Sequence, residues 1–461
     1  MAASPTLALV LLSALALTGC IKGPNYTRPP VNVPQAYHGP DNTAAADDLQ
    51  SLGNAAWWTV FQDTELQDLI RLALQQNFDV RMAASRVEQA QQYVTMARAD
   101  QYPNLAAGLQ IVGIRSPGSS YTMPQPGFFG SWSIDFWGRY RRLTEAARAG
   151  FVAAGWGRRA VVSDLVSTIA AAYFNLRTLD RQLAISQRTL ASRQDSVRLT
   201  ETLVNGGAAP LTDQRQAEQL VESAAAAIPN LERQIQQQEN AINLLLGRNP
   251  GAPINRGLDV ADQPIPGAPP VGIPSALLER RPDIAEAEQA LVAANAQIGA
   301  ARALLYPNIE LTGIGGLAST ALTTLFRGAS RAWSYTGAAQ QPIFNAGRLD
   351  ANVKLAEAQH NEALLRYQQA IQQAFRDVSD SLIGYQKFRE YRVHEEKLLA
   401  AARDSAALAR MRYEGGATSY LEVLTNETNA YAAEIGLSAA TLNERLAVVQ
   451  LYNALGGGWN P

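Results

Sequence analysis

Cys20 is the only thiol in the 461 residues, and its setting gives it a chemistry. It closes Leu17-Thr18-Gly19-Cys20 behind the apolar run Leu7 to Leu17. That run has signal-peptide length and is too short to span a bilayer. Small residues at the cleavage point resemble a bacterial lipobox, in which the thiol takes a diacylglycerol and the freed amine a third acyl chain. Several chains anchor stably where one does not. Other reactive residues form no constellation. His38, His360 and His394 stand at no metal-ligand spacing to one another or to Cys20. No G-x-S-x-G occurs, and Gly313-Ile314-Gly315-Gly316 lacks the Lys-Ser/Thr of a phosphate loop. No catalysis, cofactor or metal is expected.

The balance of 39 Lys+Arg against 41 Asp+Glu creates no field that would draw nucleic acid. Charged residues make up 17 % of the chain, low for a wholly soluble protein. Yet no apolar run beyond the signal reaches the length of a membrane helix. A membrane crossing would have to use strands.

The elements that position these residues occur twice. Tyr102-Pro103-Asn104 returns as Tyr306-Pro307-Asn308, 204 residues on (102 to 306). Gly138-Arg139 returns as Gly347-Arg348, Asn205-Gly206-Gly207-Ala208 as Glu414-Gly415-Gly416-Ala417, and Leu246-Gly247 as Leu455-Gly456, each 209 on (139 to 348). Each repeat opens with a helical segment, Asp63 to Ala99 or about Ser275 to Ala303, which a proline then ends. Short runs follow with strand alternation: Trp132, Ile134 and Phe136 oppose Ser131, Ser133 and Asp135, and Ile309 and Leu311 oppose Glu310 and Thr312. Weaker runs lie at 104–114 and 331–341. Apolar on one face and polar or small on the other, such strands suit a transmembrane barrel with a wet lumen, or soluble hairpins on a core. No proline interrupts Arg139 to Val204 or Arg348 to Tyr413, which predicts rods of roughly 100 Å at 1.5 Å per residue. A shorter helix follows each Gly-Gly turn, the first with Pro229 as an expected kink. Leu176, Leu183, Leu190, Val197 and Val204 fall seven apart and form the predicted seam; the neighbouring row, Leu179, Ser186, Arg193 and Thr200, is mixed.

These readings divide the chain into a signal peptide (1–19), a lipid-anchored strap (20–56), a first repeat (57–249, strands about 104–114 and 128–137), a proline-rich linker (250–274) and a second repeat (275–461, strands about 307–317 and 331–341). Four strands cannot close a barrel, and an open edge in lipid leaves backbone groups unpaired. At least two chains are therefore required.

Further stretches carry a family likeness: Gly23-Pro24-Asn25-Tyr26 after Cys20, Trp57-Trp58-Thr59-Val60-Phe61-Gln62-Asp63, Leu278-Glu279-Arg280-Arg281-Pro282-Asp283-Ile284 and Pro342-Ile343-Phe344-Asn345-Ala346-Gly347-Arg348. With the Tyr-Pro-Asn markers and both Gly-Gly turns, they span nearly the whole chain in order. The sequence resembles the TolC-type outer-membrane efflux proteins, in the lipid-anchored NodT-type branch. The resemblance implies a mainly α fold with a transmembrane β-barrel: a homotrimer with a 12-stranded barrel that continues into a 12-helix periplasmic α-barrel. It implies a passive exit duct for drugs or other toxic small molecules, fed by an inner-membrane pump of RND or ABC type through a periplasmic adaptor protein. Cys20 would fasten the chain to the outer membrane, since Ile21 rather than Asp follows it. Gly206, Gly207, Ala208, Leu211, Gly415, Gly416 and Ala417 would form adaptor-contacting tips, although the glycines are also ordinary helix enders. Leu421 and Glu422 match apolar and acidic gate positions, and Arg412 and Tyr413 match residues whose hydrogen bonds hold the inner helices shut. Three Glu422 carboxylates around one axis would attract cations. Thr425 stands where many members carry aspartate. Trp132, Ile134, Phe136, Ile309 and Leu311 would face lipid. A duct for protein secretion, or a periplasm-spanning scaffold lipoprotein without a pore, remains open.

Overall fold

The computed structural model describes residues 21–38, 51–264, 271–272 and 274–459. The signal segment and Cys20 lie outside these described residues. The helices are α1 (Trp57–Val60), α2 (Thr64–Gln76), α3 (Phe78–Ala99), α4 (Arg139–Asn205), α5 (Leu211–Leu245), α6 (Pro274–Arg280), α7 (Pro282–Ala303), α8 (Arg348–Glu414) and α9 (Tyr420–Ala454); the strands are β1 (Asn104–Ser116), β2 (Ser119–Ile134), β3 (Asn308–Leu317) and β4 (Arg331–Gln340). The duplication is exact in length where it matters most. Helices α4 and α8 are 67 residues each, and α5 and α9 are 35 each. Helix α5 runs through Pro229 without ending there.

Two compact units emerge. One comprises the strap up to Val31, Ser85–Trp156 and Ala285–Ala370; the other Asn32–Ala84, Gly157–Ile284 and Ile371 onward. The first holds an antiparallel sheet in the order β1-β2-β3-β4. Strand β2 starts nine residues before the expected 128, because Pro117-Gly118 forms a tight turn with Gly118 at φ +84° and β1 pairs with β2 from Asn104↔Ser131 to Ser116↔Ser119. Pro124 and Pro126 are tolerated because β3 pairs only with Gly127 to Ile134, so this stretch of β2 is bonded on one side. The strap is tied to the same unit. Glu288 accepts from Tyr26 Oη (3.1 Å) and twice from Arg28 (2.7 and 2.5 Å), and Gly23 approaches so closely that a Cβ would sit 2.4 Å from Gly299 Cα.

The second unit is built on buried residues of α4, Val166, Ile169, Ala170, Tyr173 and Leu176, with Leu66 and Ile70 of α2, Ile242 of α5 and Leu451 and Tyr452 of α9 also fully enclosed. Asp63 organises this core. It caps α2 through the N–H groups of Glu65 and Leu66, and accepts from Tyr173 Oη (3.0 Å), the Leu258 N–H (2.9 Å) and Gln263 Nε2 (2.6 Å). The linker is thereby held against α4 at Leu258 and Gln263.

Toward its C-terminus α4 departs from expectation. The buried row is the mixed one, with Ser186 and Thr200 at 0 % and Arg193 at 3 % exposure, while Leu183, Leu190, Val197 and Val204 are only half-buried. Serine and threonine manage burial because their hydroxyls bond back to the carbonyl four residues earlier, Ser186 to Gln182 (2.9 Å) and Thr200 to Ser196 (3.1 Å).

Candidate functional site

The sheet has two unlike faces, and the register defines them. Trp132 stands opposite Leu311, and Ile134 opposite Ile309; beyond them Leu311 meets Gly337 and Ile309 meets Ala339. The same parity puts Leu105, Leu109, Ile111, Phe128, Trp333 and Tyr335 on this face. All six of the latter, Leu105, Leu109, Ile111, Phe128, Trp333 and Tyr335, are 60–79 % exposed. The opposite face carries Gln110, Ser131, Ser133, Glu310, Thr312, Ser334 and Thr336, with Val112, Ile114, Phe129 and Ile314 among them, and a concavity of about 330 Å³ lies against Ser131, Thr312, Ser334, Thr336, Phe129 and Ile314. Apolar side chains this numerous are left in water only where another medium or molecule covers them.

Phe136 is a correction. Strand β2 ends at Ile134, because the Asp135 carboxylate accepts from the Arg141 N–H (2.8 Å) and the chain turns through Gly138 at φ +78°. Phe136 therefore leaves the strand face and packs edge-on against Trp137, centroids 4.8 Å apart. Trp137 stacks on Tyr306 at 4.7 Å, and the Lys22 ammonium lies over both rings, 5.4 and 4.5 Å from their centroids. The first described residues of the strap thus sit on an aromatic cluster where β2 ends and just before β3. Trp132 also donates its Nε1–H to the Gln101 carbonyl (3.1 Å).

The Gly-Gly turns are a matched pair. Ala208 N–H bonds Leu203 O (2.8 Å) and Gly207 N–H bonds Val204 O (3.0 Å); Ala417 repeats this to Arg412 (2.8 Å) and Gly416 to Tyr413 (2.9 Å). This is the Schellman pattern, with the second glycine of each pair at φ +73° and +72°. The first glycines, Gly206 and Gly415, have ordinary φ and no neighbour that a Cβ would strike. Helix ending therefore explains Gly207 and Gly416 but leaves Gly206 and Gly415 as bare backbone, beside exposed Ala208 and Ala-flanked turns ending at Leu211, 55 % exposed.

Next to the second turn, Tyr413 and Tyr420 meet edge-on at 5.3 Å within a cluster completed by Ala217, Ala409 and Val423. Tyr413 Oη donates to Asp213 (3.4 Å). Burial, then the Asp213 charge, raises the Tyr413 pKa; burial, then Glu427, pushes Tyr420 up to about 12. Glu422 is not a free carboxylate: Arg412 Nη1 reaches it at 2.7 Å, and Thr418 Oγ1 donates to its other oxygen. Leu421 beside it is 56 % exposed. Sequence reasoning missed Asp213, Thr418 and Tyr420. Asp213 could have been found, since it precedes Glu422 by the repeat offset of 209 (213 to 422).

Comparison with known proteins agrees over almost the full length. The family model "Outer membrane efflux protein" matches residues 69–248 and 273–457. The cation efflux system protein CusC of Escherichia coli O6:H1 is 37 % identical over 461 residues, 99 % of each chain. The probable outer membrane lipoprotein SilC of Salmonella typhimurium is 35 % identical over 449 residues, 96 % of each. The solved structure of the outer-membrane channel OprN superposes with a TM-score of 0.89 at 28 % identity, over 96 % of this chain and 100 % of that one. Both repeats are covered, and the chain belongs to the outer membrane efflux protein family, as a channel component of an efflux system and not an enzyme.

Proposed function

We propose that three copies of this chain form a passive exit duct for small toxic molecules. The observation that carries this reading is the four-stranded sheet, with large exposed apolar side chains on one face, most of its polar ones on the other, and open at β1 and β4. A ten-residue edge turns about five N–H and five C=O groups outward, each costing several kcal/mol in lipid. Pairing β4 of one copy with β1 of the next removes both edges, and three copies supply twelve strands, an even number as outer-membrane barrels require. The face bearing Leu109, Phe128, Leu311 and Trp333 then meets lipid, and the face bearing Ser131, Thr312 and Ser334 lines the lumen.

The α4/α5 and α8/α9 hairpins form the twelve-helix periplasmic tunnel. Their Gly-Gly turns dock the periplasmic adaptor: Gly206 and Gly415 keep the backbone bare for a partner to approach. Leu421 projects at the narrow end. The Tyr413–Asp213 and Arg412–Glu422 contacts hold the second hairpin in the shut arrangement, with Glu422 neutralised inside its own chain. An inner-membrane pump of RND or ABC type supplies energy through the adaptor, and acylated Cys20 fastens the strap to the outer membrane. Native mass spectrometry of detergent-extracted protein tests the assembly. A trimer of chains beginning at acylated Cys20, with single-channel conductance in planar bilayers, is expected. A monomer recovered without detergent would return the sheet to the scaffold reading.

A further inference from the structure

Helices α4, α8 and α9 enclose a groove of about 380 Å³ in which cations outnumber anions. Arg188 of α4 and Arg403 of α8 both reach the single carboxylate of Glu434, at 2.5 and 2.7 Å. Arg410 of α8 takes Glu427 at 2.6 Å and the Ser196 hydroxyl at 2.8 Å. Arg193 of α4, which also lines the groove, is left over. It is 3 % exposed, donates from Nη1 to the Leu220 carbonyl (2.8 Å), and lies 5.3 Å from the Tyr431 ring centroid. Its Nε–H has no acceptor, and among the described residues no carboxylate stands within ion-pair distance of it. The three guanidiniums of the lining therefore face two carboxylates, Glu434 and Glu427, each already engaged by an arginine other than Arg193. Burial lowers the Arg193 pKa, and the Glu427 charge only partly opposes it. A buried guanidinium in that condition is strongly unfavourable unless an anion completes it.

We propose that this groove is an oxyanion-binding site that takes a phosphate- or carboxylate-bearing molecule on Arg193. The Ser192 and Thr189 hydroxyls, which line the same groove, supply further donors. The lining's three arginines exceed Glu427 and Glu434 by one positive charge, which Arg403 extends through its pair with Glu434, so a singly or doubly charged oxyanion is matched and a more negative one opposed. Because Arg193 belongs to the first hairpin and Arg410 to the second, a bound anion bridges the two hairpins. It therefore stabilises the same shut arrangement as the Tyr413–Asp213 contact. This last consequence rests on the gate reading; binding itself does not.

The test uses the full-length protein in detergent, titrated with inorganic phosphate, sulfate or acetate at an ionic strength held constant with chloride. The unfolding temperature of the wild type rises saturably, as for any ligand that binds only the folded state. Arg193→Met, close in volume without the charge, raises the half-saturating concentration about tenfold or more, as loss of a charge-assisted hydrogen bond implies. Ser192→Ala, which keeps the buried charge, raises it about threefold and serves if Arg193→Met does not assemble. Tighter saturation by phosphate or sulfate identifies a phosphate-type ligand, and by acetate a carboxylate. Parallel titrations for wild type and both variants, or no saturable rise with any of the three anions, would overturn the site. Binding that leaves single-channel opening unchanged would sink the gate reading while the site stands.

Discussion

Leu311 and Thr312 are neighbours on β3 that test the assignment of the two sheet faces against each other. Leu311 stands opposite Trp132 and Gly337, and Thr312 opposite Ser131 and Thr336. Leu311 is the fourth residue of a ten-residue strand, so it lies about 10 Å from the strand's start at 3.3 Å per residue. That depth falls within an apolar band about 25 Å tall. Arginine on the lipid face costs about 2–4 kcal/mol at the midplane and about 0–1 near the interface. Leu311→Arg is therefore expected to cost about 2 kcal/mol per chain and about 6 for a trimer, roughly four decades in an assembly equilibrium. Thr312→Arg places the same charge on the polar face, where the cost is about 0.5 kcal/mol or less. The readouts are heat-modifiable trimer in the outer-membrane fraction and single-channel conductance. Leu311→Arg should lose the trimer, and Thr312→Arg should keep it with altered ion selectivity. Wild-type assembly of Leu311→Arg, or equal failure of both variants, refutes the assignment of faces.

Gly207→Ala and Gly416→Ala should each lower stability by about 1 kcal/mol in thermal unfolding, because L-residues are strained at their φ; Gly206→Ala and Gly415→Ala should change it by less than about 0.5 kcal/mol yet weaken adaptor binding in a pull-down. Tyr413→Phe keeps the ring in its cluster and removes a long hydrogen bond worth about 0.5–1 kcal/mol, so channel opening at low voltage should rise about two- to fivefold per chain; unchanged conductance would discard the lock. Tyr420, raised from 10.0 to about 12 by burial, contributes stability that is fully present below pH 10 and is lost as pH rises through 10 toward 12. In Tyr420→Phe that extra alkaline loss should vanish from the denaturation profile, and identical profiles would contradict it. Asp63→Ala removes a helix cap and strands three further donors, a loss of about 3–5 kcal/mol, read as a lower unfolding temperature and earlier proteolysis of the 250–264 segment.

The long elements were readable because their signals are local. An absence of proline over 66 positions, ended by a glycine that can take positive φ, fixes both where a helix runs and where it stops, and repetition 209 residues later states it twice. The alternation of Trp132 and Ile134, and of Ile309 and Leu311, was readable for the same reason, since period two needs no partner to be seen; that the two runs pair with each other was not. Phe136 was not, because it continues the alternation while Asp135 and Gly138 have already turned the chain. The first half of β2 hid behind Pro124-Gln125-Pro126-Gly127, a loop signature that becomes harmless where the strand is bonded on one side only.

The buried seam of α4 was hidden for a different reason. Hydrophobicity picks the row Leu183, Leu190, Val197 and Val204, yet burial falls on Ser186, Arg193 and Thr200. Which row is buried depends on α8 and α9, more than two hundred residues away in sequence, and small hydroxyl residues let those helices come close while satisfying their own oxygens. Arg193 then finds Tyr431 and the Leu220 carbonyl, partners that no local window contains. Of the apolar row, Val197 packs beside the Tyr413–Tyr420 cluster, while Leu183, Leu190 and Val204 stay half-exposed. A helix that spends its polar row on intrachain packing and keeps leucines half-exposed is suited to a chain that must still meet another copy of itself. The sheet's open edges at β1 and β4 demand the same thing independently, from backbone hydrogen bonding rather than from hydrophobic burial.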